Sequence, residues 1–280
     1  MSPASSAGIE PACHAAMIEP VETLDWQGND IDCRSCPHAA LRAGGGCKPG
    51  LSCVRDRYAK RIDRFFSHHR ELAQGYLNHP YFEVRAVAAK FVDVFQLLRL
   101  RDDPDETVRS VVALRLPQRQ LLAMRGDPDR EVRIRVAYKL LAHELEPMMH
   151  DDDYYVRMIV AKRLPKGMLA LMMHDPDSSV RELVAERIDE CLLAAMGSDP
   201  DSAVRLVVVK RLPAQRLADL RDDADWRVRY EVTRRINATF LCEMANDGDE
   251  MVRELAQERL VQDTANEQQP VRRLYGKDQP

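Results

Sequence analysis

A Val-Arg pair returns every 24 residues along most of this chain, at Val84, Val108, Val132, Val156, Val180, Val204, Val228 and Val252. Eight copies in unbroken register restrict the chain to an array of stacked, near-identical units, because chance periodicity does not survive so many repeats without an insertion. The columns around each valine define the unit. Four residues on stand Ala88, Val112, Val136, Val160, Val184, Val208, Val232 and Ala256. Eight residues on stand Val92, Leu116, Leu140, Leu164, Ile188, Leu212, Ile236 and Leu260. Apolar residues at i, i+4 and i+8 line one face of an α-helix.

The helix has a start and a stop. Asp105, Asp129, Asp153, Asp177, Asp201, Asp225 and Asp249 stand three residues ahead of their valines, where a carboxylate caps orphan amides and complements the positive end of the dipole. Pro104, Pro128, Pro176 and Pro200 favour a turn just before them. Nine residues past the valine, Pro117, Pro165 and Pro213 fall in alternate repeats, at a position a helix interior would refuse. A second apolar set follows, Leu97, Leu121, Leu145, Leu169, Leu193, Leu217 and Leu241, with Leu100, Met124, Met148, Met172, Met196, Leu220 and Met244 three residues later. An i, i+3 pair in so short a segment predicts one or two turns, of 3₁₀ type. Helical units of the HEAT or armadillo kind need about 40 residues; a 24-residue unit holds one α-helix and one stub. The methionines are read as core filling at the seam, against the alternative of an adaptable binding strip.

Two basic columns accompany the apolar ones. Arg85, Arg109, Arg133, Arg157, Arg181, Arg205, Arg229 and Arg253 follow the valines directly. Arg115, Lys139, Arg163, Arg187, Arg211, Arg235 and Arg259 lie seven residues past them. Either they form a phosphate-binding stripe or they bridge to the aspartate columns of the same or the next repeat. The second column falls inside the apolar arc, so a cation there is expected to pair with a carboxylate or snorkel to water. The bridging reading is preferred. The net charge is only −4 although 31% of the residues are charged, and a nucleic-acid groove would also want repeating aromatic platforms. Nucleic acid is therefore not the expected partner.

Upstream of the array stands DIDCRSCPHAALRAGGGCKPGLSC, which holds four of the chain's seven cysteines, Cys33, Cys36, Cys47 and Cys53. Clustered thiols in a chain with no recognisable secretory signal point to metal before disulfide, and to a cytoplasmic setting. The Cys-x-x-Cys start and two further thiols make a four-cysteine site, while Gly44, Gly45 and Gly46 let the backbone turn closely. The second half is Cys-x₅-Cys rather than a second Cys-x-x-Cys knuckle, which leans toward an iron–sulfur cluster; structural zinc stays open on spacing alone. Cys13 and His14 lie in a patternless tail. Cys191 and Cys242 are read as small buried residues of the array, and His68 and His69 as surface residues.

The columns and the D-P-D-x-x-V-R signature resemble the leucine-rich repeat variant family over residues 81–261, about two thirds of the chain. The resemblance implies an all-α, right-handed superhelical solenoid of alternating α- and 3₁₀-helices, without strands. A cysteine cluster ahead of such repeats is the arrangement of the iron–sulfur members. That implies one [4Fe–4S] cluster on Cys33, Cys36, Cys47 and Cys53, and a connection with nitrogen-fixation loci. The chain is then parsed as a loosely ordered tail (1–30), a cysteine-rich domain (31–56), a helical cap (57–79) built on Ile62, Phe65, Phe66, Leu72 and Tyr76, eight repeats (80–262) and a polar tail (263–280) in which VRRLYG is a candidate docking contact. No P-loop, dinucleotide fingerprint or radical-enzyme cysteine spacing occurs, so no enzyme is expected. The favoured reading is a scaffold for a protein partner, with the cluster structural or responsive to redox state or oxygen. An electron-transfer protein that docks a redox partner and a zinc-stabilised phosphate- or nucleic-acid-binding solenoid are the alternatives. No stretch reaches the ~18 apolar residues of a membrane span.

Overall fold

A computed structural model describes residues 22–275 of the chain, with side chains up to residue 263. Cys13, His14 and the first part of the expected N-terminal tail lie outside the described residues, as do the side chains of the VRRLYG segment. The chain divides after Arg115 into two compact units. Among the described residues there is no strand beyond isolated bridges, and no helix is long and apolar enough to cross a membrane.

The first unit contains the cysteine-rich segment, the helix Ala59–His68, a 3₁₀ segment Arg70–Tyr76 and the first two repeat helices, Phe82–Ala88 and Glu106–Arg115. Ile62, Phe65 and Phe66 are fully buried where Ala59–His68 packs on Phe82–Ala88, which in turn packs on Glu106–Arg115. The folded segment begins before residue 31. Asp25 is buried, accepts the amides of Gln27 and Asn29, and pairs across an isolated bridge with Asp56. A carboxylate that closes its own turn holds a polar stretch in place where composition predicted a loose tail.

The second unit stacks the helices Arg130–Lys139, Tyr154–Arg163, Ser178–Arg187, Ser202–Arg211, Trp226–Arg235 and Glu250–Tyr275, each against the next. Short α or 3₁₀ turns such as Lys166–Met172 and Ala194–Ser198 connect them. The final helix runs on to Tyr275, through the first part of the segment expected to be a loose tail. The valine and +4 columns are buried, as is the +8 column except for Leu260, which is half-buried, and so are the leucine and methionine columns; Met124, Met148, Met172, Met196 and Met244 fill the seam. Cys191 and Cys242 are exposed, contrary to the sequence reading, because both fall off the buried columns on the connecting turns.

The D-x-D turns, four of them with proline at the centre, use their two aspartates differently. The second caps: Asp129 accepts the Val132 amide, Asp177 that of Ser179, and Asp201 that of Ala203. The first receives the arginine of the preceding repeat through a two-pronged contact. Arg157 Nε and Nη2 donate to Asp175 Oδ2 and Oδ1 at 2.8 and 2.9 Å, and Arg85–Asp103, Arg133–Asp151, Arg181–Asp199, Arg205–Asp223 and Arg229–Asp247 repeat the geometry. The remaining prong turns inward, as where Arg157 Nη1 donates to the Asp151 carbonyl at 2.7 Å. These residues sit inside the packed stack, and the Arg157 side chain is only 9% exposed.

The column at +7 corrects an expectation. Among the described residues its cations do not meet the aspartate columns but donate to backbone carbonyls at the C-terminal end of the preceding repeat's helix, and Arg259 also approaches a carboxylate, that of Asp263 at 3.8 Å. Arg211 donates to Ala185 O and Ile188 O at 2.6 and 2.8 Å, Arg115 to Ala89 O and Val92 O at 2.6 and 2.7 Å, and Arg187 to Ala161 O and Leu164 O. The last carbonyls of a helix lack intrahelical partners and carry the negative end of its dipole, so a half-buried guanidinium is satisfied there without a carboxylate.

Candidate metal centre

The cysteine-rich segment is tied together by its backbone. Cys36 N donates to Cys33 O and Ala39 N to Cys36 O, which leads the Cys-x-x-Cys turn into the short helix Ala39–Ala43. Gly45 then adopts φ +77°, a conformation that side chains resist, and Gly46 passes under the cap: a Cβ on Gly46 would lie 3.1 Å from His69 Nε2. Between Cys47 and Cys53 the chain makes a tight loop, Lys48 N to Ser52 O and Ser52 N to Lys48 O, both 2.8 Å, with Gly50 at positive φ. Arg55, two residues past Cys53, donates to Asp32 O and Ser35 Oγ and so ties the second half of the segment to the first.

These contacts bring the four predicted ligands into one neighbourhood. Cys53 is buried, while Cys33, Cys36 and Cys47 are half-buried, and none is in a disulfide. Burial pushes the Cys47 thiol up, and the neighbouring Cys36 and Cys33 push it further. Cys53 is pushed up to about 11 by burial, partly offset by an Arg55 backbone hydrogen bond, with Cys36 and Cys47 adding to the rise. Among the described residues no group of three or more His, Cys, Asp or Glu side chains stands close enough to share a single metal ion.

The cap closes over this segment. His38, directly after Pro37, shares a 2.6 Å hydrogen bond with the Tyr76 hydroxyl, and His69 shares one of 2.8 Å with the Gly46 carbonyl. Burial holds His38 toward its neutral form, with His69 acting in the same direction; burial also pushes Tyr76 up to about 12, aided by the thiols of Cys36 and Cys53. His69 is thus no free surface residue but a strut beside Cys47. Its role is illegible in sequence because its partner is a backbone carbonyl 23 residues away.

The donor chemistry fits an iron–sulfur group. Buried thiols resist ionisation, and coordination to cationic iron is what makes thiolates stable there. The packing fits too. Between residues 22 and 56 the buried apolar residues are Cys53 and Val54, while Asp25, Ser52 and Asp56 are buried polar ones. So small a core does not hold this segment in place by itself, and metal commonly supplies the missing free energy.

Comparisons with known proteins agree. The family described as "LRV protein FeS4 cluster" matches residues 23–75, so the domain takes in both the bridge-forming segment before residue 31 and the cap helix. A solved structure described as "a leucine-rich repeat variant with a novel repetitive protein structural motif" superposes with a TM-score of 0.76 at 42% identity, covering 82% of this chain and 99% of that one. A Rhodobacter capsulatus protein described as an "uncharacterized 27.7 kDa protein in nifB 3' region" is 49% identical over 92 residues. That match spans 33% of this chain and 38% of the relative's length.

Proposed function

This chain belongs to the leucine-rich repeat variant family and carries its iron–sulfur domain at residues 23–75; from that premise we propose that it is a protein-interaction scaffold whose N-terminal end is built on one [4Fe–4S] cluster. Cys33, Cys36, Cys47 and Cys53 are the ligands. The observation that carries the reading is the mutual electrostatic influence of these four thiols in a segment whose buried apolar residues are only Cys53 and Val54. When bound, the cluster supplies positive charge that holds buried thiolates and a centre able to exchange one electron. The chain's own residues bind and shield it: His69 and Tyr76 pin the two cysteine loops from the cap, and Arg55 ties one loop to the other.

The scaffold reading is supported by what the repeats do with their charges. The arginine and first-aspartate columns answer each other, and the +7 cations answer backbone carbonyls. What remains for recognition is the mixed outer surface, suited to a protein partner rather than to a phosphate backbone. We assign no catalytic reaction. The relative described by its place in a nifB 3′ region motivates a nitrogen-fixing setting.

A second reading has its own support. Three of the four cysteines are only half-buried, and a cluster near the surface can pass an electron to a docked partner. The test begins with protein purified without oxygen, its visible spectrum, and its iron, sulfide and zinc content, before and after dithionite. About four irons and four sulfides per chain are expected. A colourless protein with one zinc would overturn the cluster. A redox-silent cluster whose removal abolishes partner binding supports the scaffold; reversible reduction followed by electron delivery to a partner replaces it with the carrier.

A further inference from the structure

Ser52 is buried, and its hydroxyl is among the few buried side-chain polar groups with no hydrogen-bond partner. Its backbone is fully engaged, since its amide and carbonyl both pair with Lys48. The loop that carries it is short, stiffened by Pro49, turned by Gly50 at φ +76°, and bounded by Cys47 and Cys53. A hydroxyl locked in such a loop can neither reach solvent nor move to another acceptor, and buried polar groups are left unpaired so rarely that each asks for a missing partner. The loop holds Ser52 next to Cys53, the most buried of the four thiols.

We propose that Ser52 is a hydrogen-bond donor to the sulfur of the cluster, its O–H directed at a sulfide that it tunes, since it donates to none of the cysteine sulfurs themselves. The inference rests on the iron–sulfur reading above. Sulfur in an iron–sulfur cluster accepts hydrogen bonds, and each such bond favours the more negative, reduced state and so raises the reduction potential. A serine adjacent to a cysteine ligand has no cap or turn role to explain it here, because the turn is already closed by backbone alone. Ser52 is a positioning and tuning residue, not a ligand: four cysteines complete the ligand set.

The test uses the full-length, cluster-loaded chain. Resonance Raman spectra of the oxidised cluster in H₂O and D₂O read the bond whether or not the cluster reduces, and a reductive titration reads the midpoint potential where it does. In the wild type, iron–sulfur stretching bands should shift in D₂O. In Ser52→Ala that isotope shift should shrink and the potential should fall; Ser52→Thr should keep both. Should Ser52→Ala lose its cluster, Ser52→Thr and Ser52→Val form a second pair, alike in shape and differing in the hydroxyl. Equal bands, isotope shifts and potentials across the pair would overturn the proposal while leaving the cluster in place. A colourless, zinc-containing wild type would instead overturn the cluster reading, and Ser52 with it, before any variant is made.

Discussion

At the scale of residues, two aspartates separated by a proline perform different work. The second was legible in the sequence, because a cap acts on amides two or three residues ahead. The first was not, because its arginine partner lies 18 residues back on another repeat. Their removal should therefore differ. Asp175→Ala strands the buried Arg157 guanidinium and should cost about 3–5 kcal/mol, whereas Asp177→Ala removes a cap and should cost about 1 kcal/mol; denaturant titration by circular dichroism compares them. A similar cost for both would show that the ladder adds nothing beyond capping. The ladder also has a pH signature. The Arg229 hydrogen bond holds the Asp247 carboxyl below its ordinary value, against the opposing effect of burial. A depressed carboxyl contributes stability in full above its unfolded pKa, and loses it as pH falls through the folded value. Asp247→Asn should therefore flatten the acid limb of the melting temperature and leave the slope near neutrality unchanged. An acid limb as steep as that of the wild type would mean that Asp247 is no part of it.

At the scale of elements, the five inner repeat helices from Arg130–Lys139 to Trp226–Arg235 begin at a capping aspartate and end where the +8 residue turns extended, as at Leu164 (ψ 148°) and Leu212 (ψ 144°). Prolines at +9 follow that turn, as the spacing predicted. The cysteine loops were legible only in part. The GGGC stretch marked a close turn, but only the fold shows which glycine is indispensable for space. A Cβ on Gly46 would press on His69, whereas one on Gly44 would sit at an ordinary 3.7 Å from Leu41 O. Gly46→Ala should thus lower the iron content per chain and Gly44→Ala should not, measured by metal analysis after anaerobic purification. Equal iron in both variants would remove His69 from its place as a strut.

At the scale of the molecule, the two ways of making a core sit at opposite ends of one sequence. The repeats bury an apolar column in every unit, so removing one residue is felt locally: Leu193→Ala should cost about 2–5 kcal/mol and broaden unfolding rather than abolish the array, as expected of nearest-neighbour stacking. Residues 22–56 bury almost nothing apolar. Stripping the iron with oxidant and chelator should therefore expose that segment to protease while most helical ellipticity persists; a resistant segment would mean that hydrogen bonds alone hold it. The sequence by itself determined the repeat length, the bounds of the inner repeat helices, the buried columns and the four clustered thiols, because each depends on spacing along a few turns of chain. Tertiary structure decided which charge meets which, that His69 and Tyr76 close over the cysteine loops, and that one serine hydroxyl is left without a partner. Those outcomes depend on residues some 18 to 38 positions apart, and only folding brings such groups within hydrogen-bonding reach.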